Sequence, residues 1–116
     1  MPRTDDKLLE GNLATVLMAI LSDGPSYGYA IIVEAEGRTG GRLRVRQNAL
    51  YPALHKLEGR GMIAGEWREV GGRRRRYYRL TPKGRKELER RRARWREFAA
   101  SMNGVLGETR YAPADL

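Results

Sequence analysis

The side chains in this sequence best equipped for chemistry are arginines, and they are gathered in one place. After Gly71-Gly72 comes Arg73-Arg74-Arg75-Arg76-Tyr77-Tyr78-Arg79, five arginines and two tyrosines in seven residues, followed by Leu80. A guanidinium group is planar and carries its donors in a fork that matches phosphate oxygens. Two adjacent glycines supply the positive φ that a tight turn demands. The stretch reads as the tip and returning strand of a β-hairpin made to lie against a polyanion. Side chains alternate across a strand, so Arg73, Arg74, Arg75 and Arg76 divide two to a face, and about half can meet the same ligand. The competing reading is a charged hairpin that stays soluble and resists edge pairing. Arg79 could equally pair with Glu66 or Glu69 across the hairpin.

The charge of the whole chain supports a polyanionic partner. Lys and Arg number 23 against 14 Asp and Glu, a formal net charge of +9. Residues 1–41 hold 3 basic and 6 acidic groups, and residues 42–96 hold 19 and 5. Residues 97–116 hold 1 and 3, so one basic block sits inside an otherwise acidic chain. Nucleic acid is its first candidate partner and an acidic membrane its second. The chain has no Cys, which excludes disulfides and thiolate metal sites and fits a reducing cytoplasm. The apolar run Leu13–Leu21 is about half of a bilayer span and follows acidic residues, so neither a membrane segment nor a signal peptide is expected. His55 is the sole histidine, no carboxylate pair lies near it, and the 3 serines lack a partner base. No phosphate-binding glycine pattern is present. No catalytic residue, metal ligand or cofactor is therefore expected, and the chain does not read as an enzyme.

The elements that must carry these groups follow from periodicity. Residues 1–8 read as an N-terminal arm. Leu13, Val16, Leu17, Ile20 and Leu21 form one stripe of a helix from about Glu10 to Ser22. Asp23-Gly24-Pro25 ends it. Ser26 is expected to cap a second helix over Tyr27–Gly37, with Tyr27, Ala30, Ile31 and Ala35 inward. Arg42–Val45 is expected as a very short strand. A third helix runs from Gln47 to Arg60 on Leu50, Leu54 and Leu57, with Pro52 close to its start or at a bend. Met62–Val70 and Arg74–Leu80 are the hairpin strands, Tyr78 and Leu80 sharing one face and Tyr77 and Arg79 the other. Thr81 and Pro82 open a last helix as cap and first residue, reaching about Gly107. Residues 108–116 read as a frayed tail.

Helix, helix, helix, hairpin and long helix make a mainly α fold with a small β-hairpin (α+β). It is a winged helix-turn-helix over residues 1–81, followed by a C-terminal dimerisation helix over 82–107. The third helix is then the recognition helix. Gln47 and Asn48 lie at its N-terminal end, able to read base edges or hold phosphate; Tyr51 can donate to phosphate, and His55 and Lys56 follow one turn on. Arg73, Arg74, Arg75, Arg76 and Tyr77 are the expected DNA contacts of the wing. The plain alternative for the third helix is a solvated face with no ligand. The last helix would span roughly 39 Å, too long for a core whose radius of gyration is roughly 12 Å. Its stripe of Leu88, Trp95, Phe98, Met102, Val105 and Leu106 needs a cover, and a second copy is the simplest one. Leu13 and Leu17 are expected to share that interface with Leu88, Trp95, Phe98, Met102 and Leu106. Trp95 admits two readings: an ordinary interface tryptophan, or, with Ala99, a seat for a flat effector between two copies.

Several segments resemble the PadR family of transcriptional regulators. They are Leu9-Glu10-Gly11-Asn12-Leu13, Gly24-Pro25-Ser26-Tyr27-Gly28-Tyr29, Leu50-Tyr51-Pro52-Ala53-Leu54-His55-Lys56-Leu57-Glu58, Gly72 through Thr81, and Lys83-Gly84. The resemblance extends from about Leu8 to Gly107. It implies a homodimeric regulator of double-stranded DNA, usually a repressor, of the short branch with a single C-terminal dimerisation helix. For some members it also implies a small hydrophobic or aromatic effector at the dimer interface. The Arg-rich Arg90-Arg91-Arg92-Ala93-Arg94-Trp95-Arg96 departs from the family pattern. A sequence-neutral architectural protein using the same basic block is the alternative, and a winged helix that docks on an acidic protein is a third reading.

Overall fold

The computed structural model describes residues 6–108. Along the chain lie α1 (Asp6–Leu21), β1 (Ser26–Tyr27), α2 (Gly28–Arg38), α3 (Gln47–Gly59), β2 (Ile63–Val70), β3 (Arg73–Leu80) and α4 (Pro82–Leu106). The strands form one antiparallel sheet in the order β1-β3-β2. The N-terminal arm before residue 6 and the frayed tail beyond 108 lie outside the described residues.

The core is built around α1. Leu13, Leu17, Met18, Ile20 and Leu21 pack with Ile31 and Ala35 of α2, Leu50, Leu54 and Leu57 of α3, Ile63, Tyr78 and Leu80 of the sheet, and Leu88 of α4. Among the described residues no polar or charged side chain is buried. Every guanidinium of residues 6–108 therefore stays in reach of water, as its hydration requires.

Three local expectations are corrected. Residues 6–8, expected in the arm, are helical: Leu9 packs on the core one turn before Leu13, and the Asn12 side chain donates to the Leu8 carbonyl at 2.8 Å. Ser26 does not cap α2. Ser26 and Tyr27 instead extend beside Tyr78 and Tyr77 of β3, and α2 starts at Gly28 with no side-chain cap bond. Pairing with an open strand edge outweighs a local cap, because it satisfies backbone groups on both sides. Arg42–Val45 is not a strand. Thr39 Oγ1 accepts from the Leu43 amide at 3.0 Å and donates to the Ala35 carbonyl at 2.9 Å, while Val45 is drawn into the core.

Pro52 is the sixth residue of α3, past its first turn. Its missing N–H falls opposite the Asn48 carbonyl, which lies on the exposed side where water can replace the bond. At the hairpin tip Gly71 and Gly72 have φ of 59° and 78°, joining Val70 directly to Arg73. That is the two-residue turn whose twist matches the strands it joins. The register places Arg79 opposite Ala64, and Glu66 is held by Arg68 at 2.8 Å, so the expected pairing of Arg79 with Glu66 or Glu69 is not formed.

Thr81 caps α4. Its hydroxyl accepts from the Gly84 amide at 3.0 Å and donates to the Gly61 carbonyl at 2.6 Å, fixing the helix to the end of α3. Glu87 sits one turn on, its side chain only 12% exposed, between Arg90 at 2.6 Å and Arg91 at 2.7 Å. Arg91 also donates to Thr15 Oγ1 at 3.1 Å, joining α4 to α1. Beyond Leu88 no residue of α4 is buried, and Gly107, at φ 77°, ends the helix. This overhang gives a radius of gyration of 16.5 Å, against about 13 Å expected of a compact chain this long.

Two stability predictions follow from α4. A Cβ at Gly84 would collide with the Met62 carbonyl and lie 2.6 Å from Leu80 Cδ1. Gly84→Ala is expected to destabilise by about 1–3 kcal/mol in urea unfolding, overpacking outweighing the better helix propensity of Ala. The two arginines, Arg91 foremost, hold the Glu87 carboxyl below its ordinary range. A depressed carboxylate contributes stability that is present above the unfolded value and lost as pH falls through the folded one. Unfolding midpoints should drop as pH goes below about 4.3, and Glu87→Gln should flatten that drop.

Candidate nucleic-acid interface

The buried stripe of Leu50, Leu54 and Leu57 roots α3 in the core and turns Gln47, Asn48, Tyr51, His55 and Lys56 to solvent, all of them exposed. Gln47 and Asn48 occupy the first turn, where unpaired amides and the helix dipole favour an anion. Arg46 is the N-cap residue and is also exposed. It closes the alternation Arg42-Leu43-Arg44-Val45-Arg46, whose first four residues were expected as a strand; its real signal is a cation on every second residue leading into α3. Arg44 of this run is paired to Glu36 at 3.3 Å.

The hairpin splits its arginines as alternation requires, but most of them rest on aromatic rings. Arg74 lies 4.7 Å from the Trp67 ring centre and Arg76 5.5 Å from it, both on one face. On the other, Arg75 lies 4.4 Å from Tyr27 and Arg68 4.6 Å from Tyr77, and these two tyrosines meet at a tilt of 59°, their ring centres 5.3 Å apart. Each ring offers its negative face to a cation and spreads neighbouring charges apart. Arg73, at the tip, is exposed and has no ion pair among the described residues.

α3 and the wing meet in a cleft of about 460 Å³. Tyr51 reaches into it from α3, Tyr27 from β1, Gly28 and Tyr29 from the start of α2, and Trp67, Arg73, Arg75, Arg76 and Tyr78 from the hairpin. Gly28 makes room for the Tyr51 ring: a Cβ there would lie 2.8 Å from Tyr51 Cζ and closer still to the hydroxyl. Burial raises the Tyr78 phenol above its ordinary value, opposed in part by its bond to Arg76, so this group is a neutral wall of the cleft. Of the residues singled out from sequence, Tyr51, Arg73, Arg75 and Arg76 converge here; Gln47, Asn48, His55, Lys56, Arg74 and Tyr77 do not line it. Tyr27, Tyr29 and Trp67 were missed, because nothing local marks which rings a fold will bring beside a guanidinium.

A second surface lies at the far side. α1 and the outer part of α4 enclose a groove of about 890 Å³, with Leu8, Leu9, Val16, Leu43, Trp95 and Phe98 in its wall and Arg91 and Arg94 at its edge. Trp95 and Phe98 are 54% and 57% exposed, with ring centres 6.1 Å apart, and Met102 and Leu106 continue the exposed stripe. Leu13, Leu17 and Leu88, expected at the same interface, lie instead in this chain's own core, at 9%, 0% and 2% exposure. Ala99 is half-buried and outside the groove wall, so only Trp95 of the two effector candidates lines it.

Comparisons with known proteins agree with this architecture. Residues 16–90 match the Transcriptional regulator PadR-like family. Over 66 residues the chain is 46% identical to the transcriptional regulator Rv3488 of Mycobacterium tuberculosis, covering 57% of this chain and 62% of that protein. The chain thus spans less than two thirds of that relative's length. A transcriptional regulator from Clostridium thermocellum superposes with a TM-score of 0.79 at 30% identity, covering 84% of this chain and 96% of that one. A PadR family transcriptional regulator from Eggerthella lenta gives 0.75 at 30% identity, covering 89% and 88%. No described helix is long and apolar enough to cross a membrane. The family's members are transcriptional regulators and not enzymes, and its helices and wing are those described above: the chain belongs to the PadR-like family of transcriptional regulators.

Proposed function

We propose that the chain is a cytoplasmic, homodimeric regulator that binds a pseudo-palindromic DNA operator by sequence and acts as a repressor. The observation that carries this reading is the shared cleft, where Tyr51 of α3 and Arg73 and Arg75 of the wing approach one another. A duplex seated there would place the first turn of α3 in the major groove, with Gln47, Asn48 and Tyr51 at bases or phosphates and His55 and Lys56 further along. Arg73, Arg74 and Arg75 of the wing would hold the flanking backbone. Residues 1–81 would form the DNA-binding unit and 82–107 the dimerisation helix. Dimerisation would bury the stripe of Trp95, Phe98, Met102 and Leu106, each side chain gaining about 1.5–3 kcal/mol. Two copies of α3 would then enter major grooves about 34 Å apart. A small hydrophobic or aromatic effector, seated in the groove beside Trp95, would favour a dimer whose spacing misfits the operator.

The test starts from a duplex enriched out of a random library by the wild-type chain. It should bind at least about 10³-fold more tightly than a scrambled duplex; equal binding would make the protein a sequence-neutral architectural one. Raising salt from about 50 to 200 mM should weaken binding by roughly 10³–10⁵. Tyr51→Ala should cost about 1–3 kcal/mol on the enriched duplex while the melting curve stays cooperative. Phe98→Asp should sediment as a monomer; a dimer that persists would place the interface elsewhere.

A further inference from the structure

We propose that Arg76 and Glu58 form a strut that sets the wing at a fixed angle to α3, so that Arg76 is a positioning residue and not a group that grips phosphate. This rests on the DNA-binding reading above.

Glu58 lies in the last turn of α3. One of its oxygens accepts from the Arg76 guanidinium at 2.7 Å and from the Gly65 amide at 3.3 Å. Both side chains are about two-thirds buried, with exposures of 31% and 32%. Among the described residues this is the one ion pair that joins the wing to α3; the other salt bridges lie within α2, its flanking loops, β2 or α4. Gly65 makes the crossing possible. A Cβ at that position would lie 2.8 Å from Arg76 Nε, so a side chain there would push the guanidinium off β2. Trp67 and Tyr78 confine it from the other sides, at 5.5 and 6.0 Å. One nitrogen of the Arg76 guanidinium is thus committed to a carboxylate that also offsets its charge, while Arg73 at the tip has no such partner among the described residues.

The position of the pair gives it leverage. From Gly65 to Gly71 the hairpin projects about 20 Å. A swing of roughly 10° at the strut would move the tip by about 3.5 Å, more than the tolerance of a hydrogen bond. Two-stranded ribbons twist readily, so a fixed angle needs a tie of this kind near the base.

The two roles of Arg76 predict opposite signs for Glu58. If Arg76 were a phosphate ligand held back by Glu58, Glu58→Met would free it and remove a negative charge, tightening every duplex. As a strut, Glu58→Met and Arg76→Met should each weaken binding to the enriched duplex by about tenfold, with the double variant no worse than either single. Binding to the scrambled duplex and the slope of affinity against salt should be unchanged. Arg73→Ala should instead lower that slope by about 1 on both duplexes. Melting curves verify folding. Should either methionine variant melt below the assay temperature, Glu58→Gln, which keeps an acceptor for Gly65, should still weaken the enriched duplex about threefold. Tighter binding by a Glu58 variant, or a reduced salt slope for Arg76→Met, overturns the strut while leaving DNA binding intact. Failure of the wild-type chain to enrich any duplex overturns both.

Discussion

Four guanidinium groups on consecutive residues of one strand repel each other, and much of the molecule is arranged to make that repulsion tolerable. Alternation sends Arg73 and Arg75 to one face and Arg74 and Arg76 to the other. Rings of Trp67 and Tyr27 then lie against three of the four, and Glu58 offsets the charge of Arg76. Of the four, Arg73 at the tip is the one with no ring contact or ion pair among the described residues. The result is a charge density that stays organised in the free protein, at lower entropic cost on ordering than loose arginines would incur.

That arrangement depends on a core with no charged members. α1 supplies apolar side chains to every other helix and to the sheet, and it does so with aliphatic residues alone. Its stripe fixes α3 from beneath, and β3 is fixed by Tyr78 and Leu80. The two surfaces that matter are thus outgrowths of one apolar body, the cleft on one side and the α1–α4 groove on the other. Glu87 ties α4, one wall of that groove, to α1 by holding Arg91 toward Thr15.

Much of this is legible in the residues. The helical stripes, the Gly24-Pro25 turn, the Gly71-Gly72 tip and the Thr81-Pro82 start all rest on local rules, and their elements lie within a few residues of where those rules put them. What is illegible is non-local. β1 is two residues long, too short for any alternation, and forms only because β3, some fifty positions on, offers an edge. Leu13, Leu17 and Leu88 are marked by periodicity as buried, but periodicity is silent on whether the cover is the same chain or another. The Arg76–Glu58 pair spans 18 positions, and no spacing rule connects a strand arginine to a carboxylate at the end of the preceding helix.

The hairpin tip has one more consequence. Exposed positions in proteins usually accept substitution, and the space around Gly71 and Gly72 is open, so that a Cβ at either would meet no atom within 4 Å. Yet both residues hold left-handed backbone angles that most L-amino acids occupy only at a cost. This exposed tip is therefore restricted by backbone chirality and not by packing. Asn and Asp, which adopt left-handed angles more readily than other L-residues, are the best replacements there.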